Sequence, residues 1–349
     1  MITQKDIAKK LGISVMTVSR ALRGQAGVSA NVRDQVLAAA RELGYASNPY
    51  VQGFVQIRQR RGEVSEGPVV AWLGPGFDYL NRFPEHTFAH YYEGAEVALA
   101  ARGFRLESFQ EMFKKSGYNA NAMTRVLRSR GIDGILLGPY DGMQEIHQID
   151  WSFFTVVQVG RSCFVPGMKR VASDHFHNML LCVDYLQTRG FRRIGYFEHQ
   201  THNLRNEGRW EAAFRYRCPK IPPCLVETQL GLSAARLAAY VKKHRLDAVV
   251  TAHASVWDLR NAMRPSPGIA FLQEDSVTAE APRIEVNHRL IGASAAQILM
   301  DDLYANRRGL YPQTITHSIQ GVFLKPGALV QERETETIPR QPRSASRRR

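Results

Sequence analysis

Apolar residues recur at helical spacing from the start of the chain: Ile7, Ala8 and Leu11, then Val15, Val18, Ala21 and Leu22. Thr3 with Asp6 three residues on fits a capping box, Gly12 supplies a tight turn, and Ser14 opens the second run. The pattern predicts two short amphipathic helices joined by a turn. That is a helix-turn-helix, whose second helix enters the DNA major groove. On that helix Val18 and Leu22 face inward, leaving Val15, Met16, Thr17, Ser19 and Arg20 for bases or phosphates. A new start signal at Val28-Ser29-Ala30-Asn31 predicts a third helix with Val32, Val36, Leu37, Ala40 and Leu43 on one face, ending at Gly44. The stretch Tyr50 to Gln56 can be helical but is too short to stand alone, and Arg58 to Gly67 reads as a polar linker.

From Pro68 the pattern changes to short apolar runs alternating with amphipathic stretches. Strands are predicted at 69–73, 104–109, 134–138, 155–160, 193–197, 224–228, 247–251 and 268–272, with helices over 86–102, 177–189, 205–216 and 233–244. Apolar strands between such helices imply parallel sheets covered on both faces. Two series in tandem imply two lobes, with a cleft at the carboxyl ends of the strands.

Charge sharpens the reading of the amino-terminal segment. Residues 1–62 carry ten Lys or Arg against three acids, a net of +7 out of +14 for the whole chain. Such a cluster suits a polyanion, because neutralising phosphates releases counterions. The end of the chain is basic as well: Arg340, Arg343 and Arg347 to Arg349 lie among prolines and serines that pack nothing, which predicts a disordered tail over 329–349. Four scattered cysteines form neither a disulfide framework nor a zinc spacing. No signal peptide or membrane span is recognisable, so a soluble cytoplasmic protein is expected, associated with the nucleoid through its DNA. Neither a phosphate loop, a nucleophile elbow nor an HExxH motif occurs. An enzyme is not expected, nor a cofactor or a metal. His175 and His177 flank Phe176 after a strand and read as surface histidines.

The chain resembles the LacI/GalR family of bacterial repressors over nearly its full length. In the headpiece the resemblance rests on Asp6-Ile7-Ala8, Gly12-Ile13-Ser14, Thr17-Val18-Ser19-Arg20, Leu22, Gly24, Val28-Ser29, Arg33, Val36, Leu43-Gly44-Tyr45 and Asn48. In the core it rests on Asp133-Gly134-Ile135, Val171 with Asp174, Leu186 to Tyr196, Arg205 with Gly208, and Arg289-Leu290-Ile291-Gly292. It implies an all-α helix-turn-helix headpiece at 1–46, a hinge and linker at 47–67, and an α/β core of two parallel-sheet lobes like that of periplasmic sugar-binding proteins. The first lobe is expected over 68–161 and 287–311, the second over 162–286 and 312–328.

The resemblance also implies site residues. Val15, Met16 and Arg20 stand at base-reading positions; only Arg20 can hydrogen-bond a base, taking guanine O6 and N7 together. Ser14, Thr17, Ser19 and Ser29 fall to phosphate contacts that fix register. Phe54 aligns with a hinge residue that wedges into the minor groove. For a small effector between the lobes, Arg205 matches a ligand-gripping arginine, and His253 and Gln273 stand where Asn-Asp and Asp are usual. Trp72 and Tyr140 either line that cleft or belong to the core. The implied function is a homodimeric, sequence-specific regulator of transcription, a repressor on operator DNA, tuned by a sugar or sugar derivative. A regulator that has lost effector control would use the same headpiece.

Overall fold

The computed structural model describes residues 4–22, 28–43, 67–75 and 87–327, apart from 116, 118, 140–145, 147, 163–164, 228–231, 262 and 274–276. Phe54, Tyr140 and the basic tail lie outside the described residues.

The headpiece consists of α1 (Gln4–Leu11), α2 (Val15–Leu22) and α3 (Ala30–Glu42). Each contributes one fully buried side chain, Ile7, Val18 and Val36, to a small core completed by Ala8, Ala21, Ala39 and Ala40. Burying an aliphatic side chain of this size is worth about 1.5–3 kcal/mol. That packing, rather than helix propensity, holds helices of eight residues in place.

Beyond the headpiece the strands are β1 (Val69–Leu73), β2 (Arg105–Ser108), β3 (Gly134–Leu137), β4 (Thr155–Val159), β5 (Lys169–Ser173), β6 (Ile194–His199), β7 (Cys224–Val226), β8 (Ala248–Thr251), β9 (Gly268–Phe271), β10 (Arg283–Glu285), β11 (Thr316–Ile319) and β12 (Val322–Leu324). They form two sheets. The first runs β11-β5-β4-β3-β1-β2, all parallel. The second runs β12-β10-β9-β8-β6-β7, parallel except where β12 meets β10. Each is the centre of one lobe. Helices Thr87–Ala100 and His288–Tyr304 pack together on the first lobe, closely enough that a Cβ on Gly94 would overlap the Arg289 carbonyl and one on Gly292 the Tyr91 carbonyl. No helix among the described residues is long and apolar enough to cross a membrane.

The chain passes between lobes at Asp174, at Val286-Asn287 and at Gln320-Gly321. Buried Asn178 ties two of these crossings together: its amide donates to Ser173 Oγ at 3.0 Å and its carbonyl accepts from the Gly321 N–H at 3.0 Å. The lobe boundaries therefore differ from expectation, since β5 (Lys169–Ser173) and β11 (Thr316–Ile319), expected in the second lobe, belong to the first sheet. The reason is chemical: β5 begins with Lys169 and Arg170, cations that can be buried only with partners. Asp302 takes the first at 2.7 Å and Glu207 the second at 2.6 Å, so the strand can sit inside. The helix expected over 205–216 is also two helices, Gln200–Arg205 and Arg209–Arg217, separated by Glu207 and Gly208 at φ values of 59° and 69°.

Candidate nucleic-acid interface and interlobe cleft

The turn between α1 and α2 is built on Gly12, whose φ of 65° suits a residue without a Cβ. Ser14 then caps α2: its Oγ accepts from the Thr17 N–H at 3.1 Å and lies 2.9 Å from Thr17 Oγ1. Ser29 does the same for α3, accepting from the Val32 N–H at 3.4 Å. With Val18 and Ala21 turned inward, α2 presents Val15 (41 % exposed), Met16 (64 % exposed) and exposed Arg20 on its outer side. Two apolar groups and one forked cation on an exposed helix can read thymine methyls and guanine edges. The capping hydroxyls stand at helix N-termini, where partial positive charge favours phosphate.

A cavity of about 400 Å³ lies between the lobes. Its walls come from residues just past the carboxyl ends of the strands: Arg161 after β4, His175 after β5, His202 and Arg205 after β6, His253 after β8, and Gln273 after β9. Phe88, Tyr91 and Trp210 supply aromatic surface, and His288 closes one side. Buried Glu198 sets the orientation of one wall: it accepts from the His199 and Ala252 N–H groups and from His202 Nδ1 at 3.1 Å. Burial opposes its charge, but His202 and these backbone donors hold its carboxyl below the usual carboxylate range. An ionised carboxylate only accepts, so His202 carries its proton on Nδ1 and keeps Nε2 for other partners. The His202 ring stacks on His253 with centroids 5.7 Å apart.

Beside the cavity the lobes are joined through Glu207. It receives Arg170 at 2.6 Å and Arg161 at 2.9 Å from the first lobe, and Arg209 at 3.3 Å from its own. Burial works against the Glu207 charge, yet Arg170 and then Arg161 hold the group well ionised. Arg161 is drawn down to about 10 by burial, then by Arg209 and Arg170, and stays cationic at neutral pH.

Residues 3–48 match the profile of bacterial regulatory proteins of the lacI family. The transcriptional regulator GntR of Pseudomonas aeruginosa is 49 % identical over 210 residues, spanning 59 % of this chain and 57 % of that one. The regulator TreR of Escherichia coli is 25 % identical over 198 residues, 56 % of each chain. Among solved structures, the CelR–cellobiose complex aligns over 94 % of this chain and 99 % of its own, with a TM-score of 0.55 and 18 % identity. Residues 3–48 are therefore a lacI-type headpiece, and the chain as a whole is similar to lacI-family regulators. The chain thus spans a little over half the length of the curated relatives it matches. The lac repressor dimer bound to operator aligns over 93 % of this chain and 98 % of its own at a TM-score of 0.51 and 16 % identity. At such identities the structural likeness speaks for the LacI-type fold.

Within that fold the residues singled out from sequence separate cleanly. Arg205, His253 and Gln273 line one cavity. Trp72 does not: it is fully buried, set edge-on to Tyr92 with centroids 5.5 Å apart, and its indole N–H reaches the Pro75 carbonyl at 3.3 Å. It belongs to the core because β1 is covered on both faces. His175 is no surface histidine either. It stands in the cavity wall, its ring 5.0 Å from that of Trp210. Arg161, His202 and His288 were not foreseen; the rule that ligands bind past strand carboxyl ends would have found them once each strand was placed.

The position of His175 has a measurable consequence. Burial, then the charge of Arg161, presses its pKa down to about 3, against roughly 6.5 in an unfolded chain. The folded state therefore refuses a proton that the unfolded state accepts. Its contribution is complete above about pH 6.5 and declines as pH falls toward 3, by at most about 1.4 kcal/mol per pH unit. His253, lowered by burial, acts in the same direction. Urea unfolding at pH 7.0 and 5.5 is expected to show a smaller loss for His175→Gln than for wild type. Equal losses would mean that the imidazole reaches solvent.

Proposed function

We propose that this chain is a sequence-specific DNA-binding transcriptional regulator, a repressor, acting as a homodimer on pseudo-palindromic operator DNA. Its operator affinity is set by a sugar or sugar derivative held between the lobes. The reading rests above all on one juxtaposition: a helix-turn-helix exposing Val15, Met16 and Arg20, on the same chain as a two-lobed core with a polar cavity at its strand ends. Solved relatives of the fold are described as a cellobiose complex, a trehalose repressor and a repressor dimer on operator, which is the behaviour carried over here. Val97 and Leu290, 59 % and 51 % exposed on the paired helices of the first lobe, supply apolar surface for the dimer. Such a protein works in the cytoplasm, on the nucleoid.

In this reading the three crossings between lobes are the moving part. A ligand closing the cavity changes the spacing of the lobes and shifts DNA affinity by its preference for one arrangement, typically by about 1–3 kcal/mol. Selection of duplexes from a random library tests the DNA half, with the expected product an inverted repeat. A monomer at micromolar concentration with no preference among duplexes would refute it. Arg205→Ala should leave unliganded operator binding intact and abolish the response to ligand.

A further inference from the structure

We infer that the cavity takes an anionic sugar, a polyhydroxylated ligand carrying a carboxylate or phosphate, with the negative group directed at Arg161. This deepens the proposed function and rests on it. The first observation is the balance of groups in the wall. Arg161, Arg205, His202 and His253 line it, whereas no aspartate or glutamate does among the described residues. Two carboxylates of adjoining elements are engaged elsewhere. Glu198 is fully buried under His202 and Ala252, and Glu207 is held by three arginines. A neutral sugar offers hydroxyl protons that carboxylates grip well; this wall offers donors and asks for acceptors.

The second observation concerns donors left over by the protein itself. Arg161 is only 2 % exposed in its side chain and spends Nη1 on Glu207 and Nη2 on Ser318 at 3.5 Å. Its Nε is buried and has no hydrogen-bond partner. The same holds for Nε1 of Trp210, a side chain in the same wall that is 5 % exposed. Guanidinium and indole nitrogens can only donate. Two unpaired donors on side chains of one wall favour an acceptor brought in by a ligand once the side chains turn toward it, and an anionic oxygen is the strongest acceptor available. Aromatic faces at Phe88, Tyr91 and Trp210 accommodate the sugar ring.

Sharing Arg161 between the ligand and Glu207 also links binding to the lobes, because Arg161 belongs to the first lobe and Glu207 to the second. A ligand oxygen that draws Arg161 away weakens the interlobe contact on one side of the cavity.

Calorimetric titration of the full-length protein with matched sets of hexoses and pentoses provides the test, each skeleton supplied as neutral sugar, aldonate or uronate, and sugar phosphate. At least one anionic member is expected to bind tenfold or more tightly than its neutral counterpart; which one it is separates carboxylate from phosphate. Gln273→Asp, which places a carboxylate in the wall, should weaken that anion at least tenfold more than it weakens the neutral counterpart. A neutral sugar that binds as tightly as its acid overturns the proposal. So does a panel without any binder. Fluorescence anisotropy with selected operator DNA, run on the same preparation, keeps a failure of this proposal distinct from a failure of the DNA-binding reading.

Discussion

Glu207→Ala is expected to destabilise the two-lobed core by about 3–5 kcal/mol, the range for removing one partner of a buried ion pair. The arginines left behind are the reason. Arg161 and Arg170 are 2 % and 6 % exposed in their side chains, so water cannot replace the lost carboxylate. Arg209, 43 % exposed, adds little to the loss. Glu207 itself is 30 % exposed, which places the effect toward the lower end of the range. Stability of a domain is typically about 5–15 kcal/mol, so even that end is a large fraction. Glu207→Gln keeps an acceptor oxygen while losing the charge and should fall between wild type and Ala. The backbone provides an internal control: Glu207 sits at φ 59°, where Ala is as strained as Glu but Gly is not. Glu207→Gly should therefore recover about 1 kcal/mol relative to Ala despite its missing side chain. Urea unfolding of the four proteins settles the order. A change below about 1 kcal/mol for Ala would show that the arginines are solvated after all.

Ion pairs between distant residues also separate what was legible in the sequence from what was not. The three helices of the headpiece could be read because their determinants are local: helical spacing of Ile7, Val18 and Val36, a glycine at the turn, and serines at two helix starts. The apolar strands of the core were equally plain. Lost were features that depend on distant partners. β5 opens with two cations whose partners lie some forty and more than a hundred positions away, at Glu207 and Asp302. β10 and β12 are three residues each, too short to show alternation. The break at Glu207 and Gly208 has one local signal, the glycine, which the helical spacing over 205–216 outweighed. Trp72 ends up in the core through its neighbours, since burial on both faces of β1 depends on them. In the cavity, Arg205, His253 and Gln273 were accessible through family resemblance. Arg161 and His175 required the sheet order, because each follows a strand of the first lobe and faces residues of the second.

Arg20→Ala should have the largest effect on DNA binding. A bidentate arginine–guanine contact is worth about 1–3 kcal/mol of discrimination, and a dimer on two half-sites makes it twice, giving about 2–6 kcal/mol for a selected operator. Val15 and Met16 cannot compensate, because neither carries a polar group. Folding is not expected to suffer. Arg20 is exposed on α2, whose buried contacts are Val18 and Ala21, and alanine is the better helix former. Arg20→Lys discriminates between roles. It keeps the charge, and with it the salt dependence of non-specific binding, but gives up the planar fork, so base preference should fall while the salt slope holds. Lys5→Ala, near the start of α1, is the contrasting case: if Lys5 holds a phosphate, its loss should weaken all sequences alike and flatten the slope. Repeating the duplex selection with each variant reads these outcomes directly. If Arg20→Ala recovers the same consensus as wild type with only a shallower salt slope, Arg20 holds a phosphate, and sequence is read through Val15, Met16 and the shape of the DNA.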